Sequence, residues 1–281
     1  MSIIREIEIF AAKIRLETIR QIGARGFGHV SGSLSVADLL AVLYHPSHGV
    51  LRIDPKNPDL KSRDFFVMSK GHAGPALYSA LALRNFYPME WLKTLNQPGT
   101  RLPSHCDRLL TPGVDMTTGS LGQGVSSAIG LCLSQRMDGT DARTYLVIGD
   151  GECNEGQVWE GVMFAHQQKL ENLVAFVDYN KKQLDGTTQE IMDLGDIAAK
   201  FAAFGWHAQT INGGSCAEIS QAIATAHNAK GAPSCIVMNT IKGAHVPSIY
   251  AIEQNHHIVL EGALLEQAIL ECEQTLETLE A

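Results

Sequence analysis

The chain has no cluster of Lys and Arg. Its 22 basic residues are outnumbered by 30 acidic ones, for a formal net charge of -8. Without a basic stripe there is no electrostatic footprint for a nucleic-acid backbone or an anionic membrane surface. Neither nucleic acid nor membrane is expected as a partner. No apolar run approaches the roughly 20 residues that a spanning helix needs. The opening stretch "MSIIREIEIFAAKIRLETIR" mixes charges at helical spacing, where a secretion signal would carry an unbroken apolar segment. The expectation is a cytoplasmic protein. Six cysteines (Cys106, Cys132, Cys153, Cys216, Cys235, Cys272) lie far apart with no C-x-x-C pair, which argues against a disulfide framework and a zinc site. They read as small core residues. Repeats, low-complexity tracts and Pro/Ser-rich linkers are also missing. That leaves no room for a second large domain.

What is present is an ordinary globular composition, 45% hydrophobic and 19% charged, enough for an enzyme-sized core. Ile3, Ile4, Ile7, Phe10, Ile14, Ile19 and Ile22 form the stripe of a first helix. Ser35 with Asp38 resembles a capping box before a second, "VADLLAVLY". The glycine- and serine-rich "GARGFGHVSGSLS" between them reads as a loop. Five short apolar runs follow: "DFFVMS" (64–69), "TYLVIG" (144–149), "LVAFVD" (173–178), "WHAQTI" (206–211) and "SCIVMNT" (234–240). Helical patterns separate them. Parallel neighbours need long crossovers, so alternating strands and helices imply an α/β fold: a parallel sheet with helices on both faces. The expected organisation is one domain over 1–281, with a helical extension at 1–45 and a C-terminal helix over 259–281.

Two of the runs end in polar turns, Gly149-Asp150-Gly151 and Asp178-Tyr179-Asn180. Ligands of parallel sheets bind beyond the carboxyl ends of the strands. Glycines admit a phosphate close to the backbone, and a following helix N-terminus, here from about Glu155, supplies free N–H groups. Aspartate, asparagine and backbone carbonyl oxygens together suit Mg2+, a diphosphate completing its octahedron. Alone, a Gly-Asp-Gly triplet is a turn signal and Asn180 a left-handed cap; the pairing of the two motifs carries the reading.

That pairing resembles thiamine-diphosphate enzymes, and "GDGECNEGQVWEGVMFAHQQKLENLVAFVDYNKKQLDG" resembles transketolase in particular, in the form split into two chains. "GHVSGSLSVADLLAVLY", "FVMSKGHAGPALYSALAL" and "TPGVDMTTGSLGQGVSSAIG" follow the family's order. "NTIKGAHV" resembles its T-x-K-G-x-G segment, with Ala244 and His245 in place of x-G. The resemblance implies the thiamine-diphosphate-binding fold and thiamine diphosphate with Mg2+ (Ca2+ or Mn2+ as substitutes) as cofactors. Asp150, Asn180 and the carbonyl of Lys182 would ligate the metal. Gly151 would touch the diphosphate, Gly119 and Leu121 would offer backbone groups to the aminopyrimidine, Leu184 would pack on the thiazolium, and Ser120, Gly149, Glu152 and Lys242 would be further cofactor contacts.

Of eleven histidines, His29, His72, His105 and His257 sit in loop-like stretches. Histidine can hydrogen-bond hydroxyls or move protons near neutral pH, although a single loop histidine is as readily a solvated side chain. By resemblance, His29 and His105 would hold the hydroxyls of a donor ketose, and His72 would face diphosphate and substrate. At His257 the family's E-W-H-G is replaced by "EQNHHIVL", leaving the register between His256 and His257 open. His45, His48, His166, His207, His227 and His245 read as structural.

In the family, the carboxylate that activates the pyrimidine ring belongs to a following domain outside these 281 residues. Glu155 is nominated instead for the subunit contact, where it would meet a partner's carboxylate; the plain alternative is an acidic residue favoured by a helix dipole. The expectation is an N-terminal subunit that transfers a two-carbon ketol unit from a ketose phosphate to an aldose. It would work with a C-terminal subunit carrying the pyrimidine-binding domain, as α2β2. Rival readings are half of a 1-deoxyxylulose-5-phosphate synthase, a 2-oxo acid dehydrogenase alpha chain, or a cofactor-binding protein without activity. A dinucleotide-binding domain fits less well, since no G-x-G-x-x-G follows the first strand.

Overall fold

Each of the five apolar runs forms a strand in a computed structural model that describes residues 1–58 and 60–281. In chain order the strands are β1 (Phe27–Gly28), β2 (Phe65–Met68), β3 (Thr144–Gly149), β4 (Leu173–Tyr179), β5 (His207–Asn212), β6 (Ser234–Asn239) and β7 (Ile258–Val259). The helices are α1 (Ile3–Arg25), α2 (Val30–Leu34), α3 (Ala37–Tyr44), α4 (Gly74–Leu83), α5 (Gln123–Met137), α6 (Gly156–Gln167), α7 (Thr188–Met192), α8 (Ile197–Ala203), α9 (Cys216–Asn228), α10 (Pro247–Tyr250) and α11 (Gly262–Glu280).

The main sheet runs β2-β3-β4-β6-β5, every pair parallel. Its inner strands are apolar at successive positions because helices cover both faces. Tyr145 and Val147 of β3 join Val174 and Phe176 of β4 in one core beneath α1, α3, α4 and α9. Leu146 and Ile148 join Ala175 and Val177 in the other, beneath α5, α6 and α8. The period-2 alternation of strand side chains thus divides the core in two. All six cysteines are free and buried in these cores. No helix of the described residues is long and apolar enough to cross a membrane.

Three expectations shift. The loop between the first two helices contains β1 and α2, and β1 pairs antiparallel with β7. The C-terminal helix accordingly starts at Gly262 and not at 259, since Val259 is held in that pairing with Phe27. Ser35 and Asp38 form no capping box. The α3 N-cap is Val36 without a side-chain bond, Ser35 Oγ donates to Asp178 Oδ2 at 2.7 Å, and Asp38 pairs with buried Arg15. Charged groups cut off from water claim the nearest polar side chains ahead of a helix end. A true capping box occurs at Thr187 and Glu190, opening α7 just after the second polar turn.

Candidate active site

The parallel register brings the ends of β2, β3, β4 and β6 to one edge. There they surround a cavity of about 480 Å³ lined by His29, His72, His105, Asp150, Asn180 and Lys242, among others. Beneath it, Asp178 at the end of β4 is fully buried. Lys70 Nζ donates to its Oδ2 at 2.5 Å, and Ser35, Asn180 and Thr240 also donate to the carboxylate. Burial opposes the ionised form, but Lys70 and these donors outweigh it and hold Asp178 below the usual carboxylate range. Lys70 gives no signal in the sequence, although "SKGHAGP" contains it, because only the sheet register sets it against Asp178.

Asp150 lies at the end of β3, 4% exposed. Its Oδ1 accepts from Gly151 N at 2.8 Å and its Oδ2 from Lys181 N at 2.6 Å. Burial, then the Asp178 carboxylate, push its pKa up to about 6 despite those donors. Its own partners are backbone amides. A divalent cation would offset both costs, and the donors nearby are hard oxygens. Asn180, 8% exposed, turns its Nδ2 to Asp178 at 3.0 Å and leaves Oδ1 with Lys182 N at 3.2 Å. The residues present therefore fit a metal carrying a diphosphate.

Lys242 Nζ reaches the Lys182 carbonyl at 3.0 Å and His256 Nδ1 at 2.9 Å. Burial, then Lys70, lower its pKa to about 8. Gln183, also unnoticed in the sequence, donates to Asn154 Oδ1 at 2.9 Å and clasps the two strand-end loops together. Glu152 is buried: Oε1 accepts from Ser69 Oγ at 2.5 Å and Gly122 N at 2.8 Å, and Oε2 from Gly149 N at 3.0 Å. Both of its oxygens accept bonds from the scaffold, and Glu152 lines the same cavity. The pocket-lining residues Gly119, Leu121, Gly149, Gly151, Glu155 and Leu184 stand along the same cavity. Leu184 is 63% and Leu121 38% exposed, apolar surface at the mouth where Glu155 is also exposed. Ser120 is exposed next to them. Gly71 is required by close approach: a Cβ there would lie 2.8 Å from the Thr118 carbonyl carbon and 2.9 Å from Gly119 N.

The histidines converge. The His29 ring stands 5.2 Å from His72, 5.6 Å from His105 and 5.3 Å from His256, centroid to centroid. Burial, followed by neighbouring histidines and lysines, lowers His29 to about 4 and His256 to about 3. His72 falls well below its ordinary value and His105 below it, burial leading in both. All four are neutral at pH 7, so each carries one donor and one acceptor nitrogen; the acceptor of His256 is met by Lys242, and those of the others are open to hydroxyls. His256 lines the cavity. His257, the position expected from the sequence, is exposed beside it, 4.8 Å from His29 and 5.6 Å from Phe27. His245 has left-handed backbone, φ 65°, which explains why the resembled pattern has glycine there. His227 meets the Tyr145 hydroxyl at 2.8 Å, away from the cavity.

The transketolase thiamine diphosphate binding domain matches residues 7–276. The chain belongs to the transketolase family. Among transketolase relatives, the 6-deoxy-6-sulfo-D-fructose transketolase subunit SqwG of a Clostridium species is 49% identical over 93% of this chain and 94% of its own length. An apulose-4-phosphate transketolase subunit of Phocaeicola vulgatus is 34% identical over 99% of this chain and 97% of its own. Transketolase from Campylobacter jejuni superimposes with a TM-score of 0.88 at 27% identity, covering 99% of this chain and 46% of that one. The chain thus spans nearly all of the relatives named as subunits but about half of a single-chain transketolase. It is a thiamine diphosphate binding transketolase domain on a parallel α/β sheet, as its strand-end turns implied.

Proposed function

We propose that this chain is the diphosphate-binding subunit of a two-chain transketolase that moves a two-carbon ketol unit from a ketose phosphate, or a ketose with another anionic terminus, to an aldose. The supporting observation is the edge where Asp150, Asn180 and the Lys182 carbonyl face a cavity walled by four neutral histidines. Asp150, Asn180 and the Lys182 carbonyl would hold Mg2+, with Ca2+ or Mn2+ as substitutes. Gly149, Gly151 and Lys242 would lie against the diphosphate, Gly119, Ser120 and Leu121 against the pyrimidine, and Leu184 against the thiazolium. Bound thiamine diphosphate would supply the carbon nucleophile that the protein itself lacks. His29, His105 and His256 would orient the sugar hydroxyls and carry protons to and from them, and His72 would face both cofactor and substrate. Lys242 would shift from the Lys182 carbonyl to the diphosphate when the metal enters.

A C-terminal subunit would bring the pyrimidine-binding domain in an α2β2 assembly, with Glu155 at the contact. The full-length match to relatives that are subunits supports this. Free buried cysteines fit a reducing compartment, which supports a cytoplasmic location. The relative at 49% identity acts on a sulfonated ketose, which favours a donor of that kind as a second reading.

The test is ketol transfer with thiamine diphosphate and Mg2+, with and without the protein encoded beside this one, and with Asp150→Ala as control. Activity confined to the mixture and lost in the variant is expected. Activity of this chain alone would refute the need for a partner, and none in any mixture would refute the transfer itself.

A further inference from the structure

His256 takes the place of the histidine in the resembled E-W-H-G segment, so His257 stands where that segment has glycine. The substitution adds a ring at the rim of the histidine cavity and starts a continuous series of planar groups. His257 lies 4.8 Å from His29, Phe27 lies 5.6 Å from His257, and the Arg25 guanidinium carbon lies 4.2 Å over the Phe27 ring. The antiparallel pairing of Phe27 with Val259 and Gly28 with Ile258 fixes these groups side by side. Arg25 is half-buried. Its Nε is shut off from water and has no hydrogen-bond partner. Unlike Arg15, Arg20, Arg52 and Arg63, it has no ion pair among the described residues. Glu261 comes near the backbone of Gly26 but leaves Arg25 unpaired. A place in the last turn of α1 favours a cation and does not explain a donor left unsatisfied under a stacked ring. A guanidinium held over an aromatic ring without an ion pair is suited to an oxyanion.

We infer that Arg25, held by Phe27 and assisted by His257, is a specificity-determining subsite for the tetrahedral oxyanion at the far end of the sugar, whether phosphate ester or sulfonate. This rests on the ketol-transfer reading for what the cavity holds. It adds a substrate contact from this chain at the outer end of the funnel. The hydroxyls would meet the inner histidines while the charged terminus reaches the rim.

The experiment uses the assembled two-chain complex with three donors: a ketose phosphate, the sulfonated ketose and a neutral ketose. For Arg25→Met, KM for both charged donors is expected to rise roughly ten- to a hundredfold, the range for a hydrogen-bonded charged group, with kcat retained and neutral-donor KM nearly constant. Arg25→Lys keeps the charge but loses the fork, and should fall between. It also serves if the methionine variant does not fold. The donor showing the larger loss identifies the terminal group. Equal KM shifts for charged and neutral donors, or none, overturn the inference. Should the wild-type complex transfer from none of the three, the ketol-transfer reading fails. The subsite is then decided by calorimetric binding of the charged ketoses to wild type and Arg25→Met: a tenfold or greater loss sustains it, and equal affinity overturns it.

Discussion

Lys70 Nζ stands 2.5 Å from Asp178 Oδ2, the two side chains being 1% and 0% exposed. This pair lies at the floor of the candidate active-site cavity. It joins the end of β2 to the end of β4, and through Asn180 and Gly32 it positions the polar turn and helix α2, which follows His29. Removing one partner of a buried pair leaves the other charge uncompensated, at a cost of about 3–5 kcal/mol. Lys70→Met should therefore lower unfolding free energy by about that amount, measured by urea denaturation. A loss below about 1 kcal/mol would show that water reaches Asp178.

Asp150 presents the opposite case, a buried carboxylate with no cation bonded to it. In Asp150→Asn the relief of burial and of Asp178 repulsion is set against an NH2 group turned toward Gly151 N or Lys181 N. The unliganded chain should therefore lose less than an unmet buried polar group costs, about 1–3 kcal/mol. Wild type should melt higher with thiamine diphosphate and Mg2+ together than with either alone, because only a bound ligand stabilises the native state. The variant should show no such increment. A full increment in Asp150→Asn would remove Asp150 from the metal site.

Glu152 accepts three hydrogen bonds and its Oε2 faces Gly149 N at 3.0 Å. A glutamine would have to turn its NH2 group toward one of those donors. Glu152→Gln should cost about 1–3 kcal/mol, the penalty for an unmet buried polar group. The same variant should also weaken cofactor binding by loosening the Gly149 and Gly122 loops. Calorimetric titration of thiamine diphosphate with Mg2+ reads this second effect, and unchanged affinity would confine Glu152 to stability.

The cavity histidines make acid stability directional. His29 and His256 have folded values of about 4 and about 3 against an ordinary 6.5. Below 6.5 the unfolded chain takes up protons that the folded site refuses, so their contribution is complete above pH 6.5 and declines as pH falls through 6 and 5 toward the folded values. Denaturation midpoints measured from pH 7 to 4.5 should fall along that course, and His29→Asn should flatten the slope. An unaltered slope would mean that other groups dominate.

A Cβ on Gly71 would strike backbone and not a movable side-chain tip. Gly71→Ala should displace the Thr118–Gly119 segment that rests against His105. Cofactor affinity should fall at least tenfold, equivalent to about 1.4 kcal/mol, in a chain whose circular dichroism is retained. Full affinity would show that the segment yields without consequence.

The sequence by itself determined the strands, the crossovers and the two polar turns, because local backbone preference and burial on both faces leave their pattern in consecutive residues. Thr144–Gly149 and Leu173–Tyr179 are legible from their apolar runs alone, as are Asp150 and Asn180 at the ends of those runs. Only the tertiary structure decided which polar group each charge would meet. Ser35 looks like a helix cap until Asp178, distant in the chain, lies beside it. Lys70 looks like an ordinary loop lysine until β2 and β4 come together around β3. The choice of His256 for the cavity and His257 for the rim depends on the pairing of β7 with β1, a long-range contact without local signature. Period and propensity act between chain neighbours, whereas the pairing of buried charges and rings is set by contacts that exist only once the chain has folded.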